Sequence, residues 1–143
     1  MMYGKGATSS KKVENIETGK EMKLSVLIVD DDPIIRKIHR VLLSKFTTEI
    51  QVAENGKEAV ELYRSGALFD LVLMDKDMPI MNGLEATKEL RTMGVNSVIM
   101  GVTSRDLDSE KNVFIAAGLN ECYEKPLTIE KIKSLLKELN KNK

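Results

Sequence analysis

Five side chains in this sequence have the types and the placement to do chemistry together: the carboxylates of Asp30, Asp31 and Asp75, the hydroxyl of Thr103 and the amine of Lys125. Each follows a short stretch that reads as a strand. Val26 to Val29 runs into Asp30 and Asp31, Leu71 to Met74 into Asp75, Val98 to Val102 into Thr103 and Ser104, and Glu121 to Glu124 into Lys125. Carboxylates brought together repel, so they either raise one another's pKa or recruit a cation. Oxygen ligands with no His or Cys nearby favour Mg²⁺ over zinc, and Mg²⁺ is commonly held by one or two carboxylates together with waters and a phosphate. Lys125 can then neutralise one phosphoryl oxygen, Thr103 can hydrogen-bond another, and the ion can bridge a third to the acids. Asp75 is left as the nucleophile, whose attack on phosphorus gives an aspartyl phosphate.

Taken singly, these residues have plainer readings. Asp32 is a helix cap, Lys125 before Pro126 suits a turn, and Thr103 is an ordinary strand residue. A cap does not account for Asp30 and Asp31, which precede it, and a lysine opposite three acids is more than a turn residue.

The elements that must position these groups alternate in the manner of repeated βα units, which predicts an α/β fold: a doubly wound five-stranded parallel sheet, (βα)5. In such a sheet the carboxyl ends of the strands form the crevice where ligands bind. The first strand covers Ser25 to Val29, and Pro33 opens a helix capped by Asp32. Ile35, Ile38 and Leu42 supply the core stripe of that helix. Ile34, Ile38 and Val41 form a second apolar line, either packed broadly on the sheet or available for partner docking. The second strand, Glu49 to Glu54, alternates Ile50 and Val52 with polar residues and so belongs at an edge. Helices open at Asn55 and Asn82, with Glu58 and Glu85 in capping-box positions. A fourth helix is predicted from about Asp106 to Ala117, stopped by Gly118, and a fifth from Thr128 with Ile129, Ile132, Leu136 and Leu139 facing inward. The lone His39 reads as a semi-buried or surface helix residue.

The 143 residues suit one domain, residues 23–143, preceded by a polar, disordered tail over residues 1–22. Lys and Arg total 22, as do Asp and Glu, so no basic field marks a nucleic-acid binder. Cys122 is the only cysteine, which excludes an intrachain disulfide and a zinc framework and points to a reducing compartment. No stretch resembles a signal peptide or is long enough to cross a bilayer, so a soluble protein is expected, cytoplasmic with the nucleus also open.

The constellation resembles the receiver domain of two-component response regulators. The matching pieces are VLIVDDDP (Val26 to Pro33), LVLMDKDMPIMNG (Leu71 to Gly83), VTS (Val102 to Ser104), Gly118, and KP (Lys125 and Pro126). The resemblance implies the flavodoxin-like strand order 2-1-3-4-5. It implies that Asp75 accepts a phosphoryl group from a phosphohistidine, and that Asp30, Asp31, Asp75 and the backbone carbonyl of Asp77 hold Mg²⁺. Thr103 and Lys125 would bind the phosphoryl oxygens, and the Lys125–Pro126 bond would be cis. MGVTS, LNECYEKPL and DKDMPIMNG are most similar to plant single-domain regulators of the type-C group. That likeness implies cytokinin-type two-component signalling, with a histidine-containing phosphotransfer protein and an upstream hybrid histidine kinase as partners. A monomer is expected, and no output domain, since the sequence stops just beyond its fifth helix.

The sequence departs from the family in three places. Cys122 stands where an aromatic switch residue is usual, with Tyr123 beside it and pointing to the other sheet face. Ser104 replaces the usual alanine after the threonine. Asp77 and Arg105 occupy the positions that tune the lifetime of the aspartyl phosphate. Three other readings remain beside the relay receiver. One is a net phosphohistidine phosphatase that drains the relay, and another is a phosphatase of haloacid-dehalogenase type suggested by Asp75-Lys76-Asp77. The last is a binding module independent of phosphorylation.

Overall fold

The computed structural model describes residues 24–104 and 108–141. The expected tail, Arg105 and Asp106 lie outside the described residues. Five strands and five helices alternate: β1 (Ser25–Val29), α1 (Pro33–Leu43), β2 (Glu49–Ala53), α2 (Gly56–Arg64), β3 (Leu71–Asp75), α3 (Gly83–Thr92), β4 (Val98–Thr103), α4 (Asp108–Ala116), β5 (Glu121–Glu124) and α5 (Ile129–Lys141). All strands are parallel, as the apolar runs predict, in the order β2-β1-β3-β4-β5 that the family resemblance implies. The all-apolar runs of β1 and β3 take the interior positions because helices cover both faces there.

Two apolar layers hold the sheet, one on each face. Val26, Ile28, Leu71, Leu73, Met100 and Val102 pack with Leu43 of α1 and with Ile132, Leu135, Leu136 and Leu139 of α5. Leu27, Val29, Val72, Met74 and Ile99 pack on the other face with residues of α2, α3 and α4, including Ala59, Leu90 and Phe114. Each fully buried aliphatic side chain contributes about 1.5–3 kcal/mol relative to exposure. Gly101 leaves the gap into which Phe114 and Leu119 close, since a Cβ there would overlap the Phe114 ring and a Leu119 methyl.

The caps follow the sequence. Asp32 accepts from the N–H of Ile34, with Pro33 at the first helical position, and Asn82 and Glu85 form a reciprocal capping box. At α2 only half of the box closes. Asn55 accepts from Glu58, while the Glu58 side chain takes the N–H of Glu54 instead.

The inward face of α1 differs from the predicted stripe. His39 and Leu43 are buried, Ile35 and Leu42 are half-buried, and Ile38 stays 37% exposed. A histidine goes inside because a backbone N–H of another element reaches it; with that partner the helix rotates its apolar surplus outward. Ile50 is buried as expected, but Val52 lies exposed on the edge strand and Ala53 takes the second buried position. On α5, Leu135 joins the buried set and Ile129 is only partly covered.

Candidate functional site

The site is assembled at the carboxyl ends of β1, β3, β4 and β5. Asp30 extends β1 by one bond, its N–H donating to the Ala53 carbonyl at 3.1 Å. Its own carbonyl accepts from Arg36 Nη1 at 2.8 Å, and its Oδ1 accepts from the Asp32 N–H at 2.9 Å. These bonds orient a carboxylate that is only 1% exposed. Asp75 is the last residue of β3 and equally buried. Behind it, Gly83 opens α3 against the strand end: a Cβ there would collide with the Asp75 carbonyl oxygen. The Gly83 N–H also donates to the Lys76 carbonyl at 2.9 Å, tying the helix start to the strand.

Lys125 arrives from β5 with its N–H on the Thr103 carbonyl at 2.8 Å and a cis bond to Pro126. Its Nζ lies 2.9 Å from Asp75 Oδ1 and 3.1 Å from Asp30 Oδ2. Thr103, buried at the end of β4, stands on the strand next to Asp75. Asp30, Asp31 and Asp75 present carboxylate oxygens within 4.8 Å of one another, with Asp31 on the exposed side.

The electrostatics are those of a crowded acid site. Burial is the largest cause pushing Asp75 up, to about 7; the Lys125 hydrogen bond pulls down, and the charges of Asp30 and Asp31 push up again. Lys125 is also raised: burial works against its charge, but its hydrogen bond to Asp75 and the charges of Asp75 and Asp30 outweigh that. The ammonium therefore keeps its proton while the carboxylate beside it is close to balance. Lys125 pairs with two of the three acids, Asp75 and Asp30. Asp75 Oδ2 is buried with no hydrogen-bond partner among the described residues. A set of oxygen donors, one of them unsatisfied, fits a hard divalent cation such as Mg²⁺.

The remaining predicted positions fall as follows. The Asp77 side chain is 69% exposed and pairs with Lys76 at 3.5 Å, which in turn reaches Glu110 of α4 at 3.5 Å. Arg105 is outside the described residues. Cys122 is buried in the layer of Phe114 and Leu119, whereas Tyr123 packs on the opposite face, as their alternation predicts. Ile34, Ile38 and Val41 are 67%, 37% and 54% exposed on α1. Ile80, in the loop after Asp75, has φ of 72° and is 75% exposed, at the centre of a turn closed by the Met81 N–H on the Pro79 carbonyl.

Sequence reasoning missed three contributors. Arg36, outside every matching piece, and Gly83, inside one but given no role there, act through backbone contacts. His39 is fully buried rather than semi-buried or on the surface, and its Nε2 accepts the Leu127 N–H at 3.1 Å. A polar residue four before Leu43 on one helix face was the only signal available. A groove of about 890 Å³ lies at the other end of the sheet among Ser25, Tyr63, Phe69, Asp70 and Asn120, away from the acids.

Comparison with known proteins identifies the family. Residues 26–137 match the model of the response regulator receiver domain. Two-component response regulator 24 of Arabidopsis thaliana is 50% identical over 133 residues, 93% of this chain and 96% of that relative. Two-component response regulator ARR22 of the same plant is 47% identical over 140 residues, covering 96% and 98%. Among solved structures, a chain of the co-crystal of the Saccharomyces cerevisiae histidine phosphotransfer signaling protein Ypd1 with the receiver domain of its downstream response regulator Ssk1 aligns with a TM-score of 0.73. That alignment has 26% identity over 82% of this chain and 88% of that one.

Proposed function

The chain belongs to the response regulator receiver domains of two-component signalling, and from that premise we propose that it takes a phosphoryl group from a phosphohistidine onto Asp75. The observation that carries this reading is Asp75 itself. It is a buried carboxylate at a strand end, with one oxygen on Lys125 and the other unpartnered among the described residues. In the transfer an oxygen of Asp75 forms the new bond to phosphorus as the P–N bond to the donor imidazole breaks, and the imidazole nitrogen leaves with the electron pair. Lys125 stays protonated and takes one phosphoryl oxygen, and the Thr103 hydroxyl takes another. Asp30, Asp31 and Asp75, with the backbone carbonyl of Asp77, would hold Mg²⁺, which when bound supplies positive charge to the phosphoryl oxygens.

The donor in this reading is a histidine-containing phosphotransfer protein, itself charged by an upstream hybrid histidine kinase in a cytokinin-type relay. The Ypd1–Ssk1 co-crystal supports the class of partner. Ile34, Ile38 and Val41 form the docking face beside the site, and their exposure on a helix adjoining Asp30 supports that role. Asp77 and Arg105 tune how long the phosphate lasts, and Cys122 occupies the switch position without an aromatic to rotate. The chain acts as a monomer in the cytoplasm, with the nucleus also open, and engages neither nucleic acid nor membrane. No helix among the described residues is long and apolar enough to cross a membrane.

The exposed Asp77 carboxylate, two residues from Asp75, favours a second reading in which water reaches the phosphoaspartate quickly and the protein drains the relay as a phosphohistidine phosphatase. Membership of the receiver family displaces the haloacid-dehalogenase reading. Incubation with Mg²⁺ and phosphoramidate, followed by intact mass, tests the proposal. A single phosphoryl adduct that needs both Mg²⁺ and Asp75, and is absent from Asp75→Asn, is the expected result. Free phosphate without an adduct would favour the drain. Neither product would leave a binding module and sink the phosphoacceptor reading.

A further inference from the structure

His39 is the one histidine of the chain, and it is fully buried on α1. Its Nε2 accepts the N–H of Leu127 at 3.1 Å, so the imidazole proton resides on Nδ1. That Nδ1–H is buried without a hydrogen-bond partner among the described residues. Burial also holds the ring neutral, its pKa lowered to about 4. An aliphatic residue here would leave no donor stranded in the layer of Leu43 and Leu127, so packing alone does not explain an imidazole. The bond to Leu127 does.

Leu127 is two residues beyond Lys125, across Pro126. The Lys125 backbone is anchored on one side by its N–H to the Thr103 carbonyl, and on the other by Leu127 to His39. Between these two anchors its side chain spans to Asp30 and Asp75. A lysine has a flexible stem, so where its ammonium sits depends on how firmly its backbone is held. We propose that His39 is a positioning residue for phosphoryl acceptance: by fixing the Leu127 N–H it holds the Lys125 turn, and hence Nζ, against Asp75. The proposal rests on the reading of Lys125 as the phosphoryl-binding cation. It extends that reading to α1, whose outer side carries Ile34, Ile38 and Val41.

Two variants of the full chain separate positioning from packing. His39→Leu keeps the bulk and removes the acceptor; His39→Gln places an amide oxygen where Nε2 was. Each is assayed with phosphoramidate and Mg²⁺ for the maximal rate and the half-saturating phosphoramidate concentration. Thermal melting, exchange of the Leu127 amide, and the NMR signal of the Lys125 ammonium are read alongside. His39→Leu should lower the maximal rate about tenfold with half-saturation unchanged, and His39→Gln should return to within about threefold of the parent. The Leu127 amide should exchange faster in the Leu variant only. Equal rates in the parent and His39→Leu, or equal losses in both variants, would overturn the proposal, as would an unchanged Lys125 ammonium signal in His39→Leu. If His39→Leu does not fold, a slow His39→Gln with a protected Leu127 amide overturns it as well. A parent protein that yields neither adduct nor free phosphate would remove the phosphoacceptor reading instead, while the Leu127 and Lys125 signals still decide whether His39 holds the turn.

Discussion

Removing the charge of Asp75 should strengthen the fold even as, on the proposed reading, it abolishes acceptance, because burial penalises the bare carboxylate. A carboxyl raised to about 7 in the fold, against an unfolded value near 3.8, contributes stability below the unfolded value that is lost as pH rises through 7. At pH 8 without Mg²⁺, Asp75→Asn is therefore expected to be more stable by about 1–2 kcal/mol, discounted for the partner Lys125 loses. A urea midpoint below the parent's would refute this. His39 has the opposite sign. Its folded pKa is about 4 against 6.5, so the unfolded chain binds the proton first and stability is lost as pH falls from 6.5 towards 4. The full effect is about 3 kcal/mol at the acid end. Asp75 counters it across the same range, and Asp30 and Lys125 face the ring from the site, so the clean comparison is Asp75→Asn against Asp75→Asn/His39→Leu between pH 7 and pH 5. Only the first should lose stability on acidification. The acids and the lysine were legible in the sequence because each directly follows a strand. His39 and Arg36 were not, since their partners, the Leu127 N–H and the Asp30 carbonyl, are backbone groups that leave no mark in composition.

At the scale of elements, α1 serves both sides of the proposed function: its inner face meets the Lys125 turn through His39, and its outer face carries the apolar line. Replacing Ile34 and Val41 by Asp should slow transfer from a phosphohistidine protein at least about tenfold, in keeping with loss of apolar anchors, and leave acceptance from phosphoramidate within about twofold. Equal rates from both donors in parent and variant would remove α1 from the docking face. The existence and parallel pairing of the strands and the edge position of β2 could be read from the apolar runs, the full strand order only from the family resemblance, and the caps at Asp32 and Asn82 from residue type. The rotation of α1 could not. With two apolar lines at helical spacing, periodicity permits either to face inward, and the choice is made by a hydrogen bond to a residue 88 positions away.

The molecule as a whole separates its acid cluster from the groove at the amino end of the sheet. The acids gather at the carboxyl end of the sheet, and the 890 Å³ groove opens at the other. With Lys and Arg matched by Asp and Glu at 22 each, net charge offers no field to draw in an anion, so in the proposed function the positive charge is local, from Lys125 and the proposed Mg²⁺. Mg²⁺ binding to the folded form alone stabilises by mass action, about 2.7 kcal/mol at a hundredfold excess over Kd. Thermal melts should accordingly rise with Mg²⁺, fall back on chelation, and show no such rise in Asp30→Asn. A parent melting point indifferent to Mg²⁺ would count against the carboxylate cluster as a metal site.

Gly83 carries no functional group, yet the strand end that holds Asp75 leaves no room behind it for a methyl. In a genetic screen for lost signalling, missense alleles at this glycine should therefore surface beside alleles of Asp75. Protein abundance would tell them apart. Asp75→Asn should accumulate normally and be silent, whereas Gly83→Val should be depleted by quality control before it reaches a partner. The heritable sensitivity of this site thus extends to an atom that is not there.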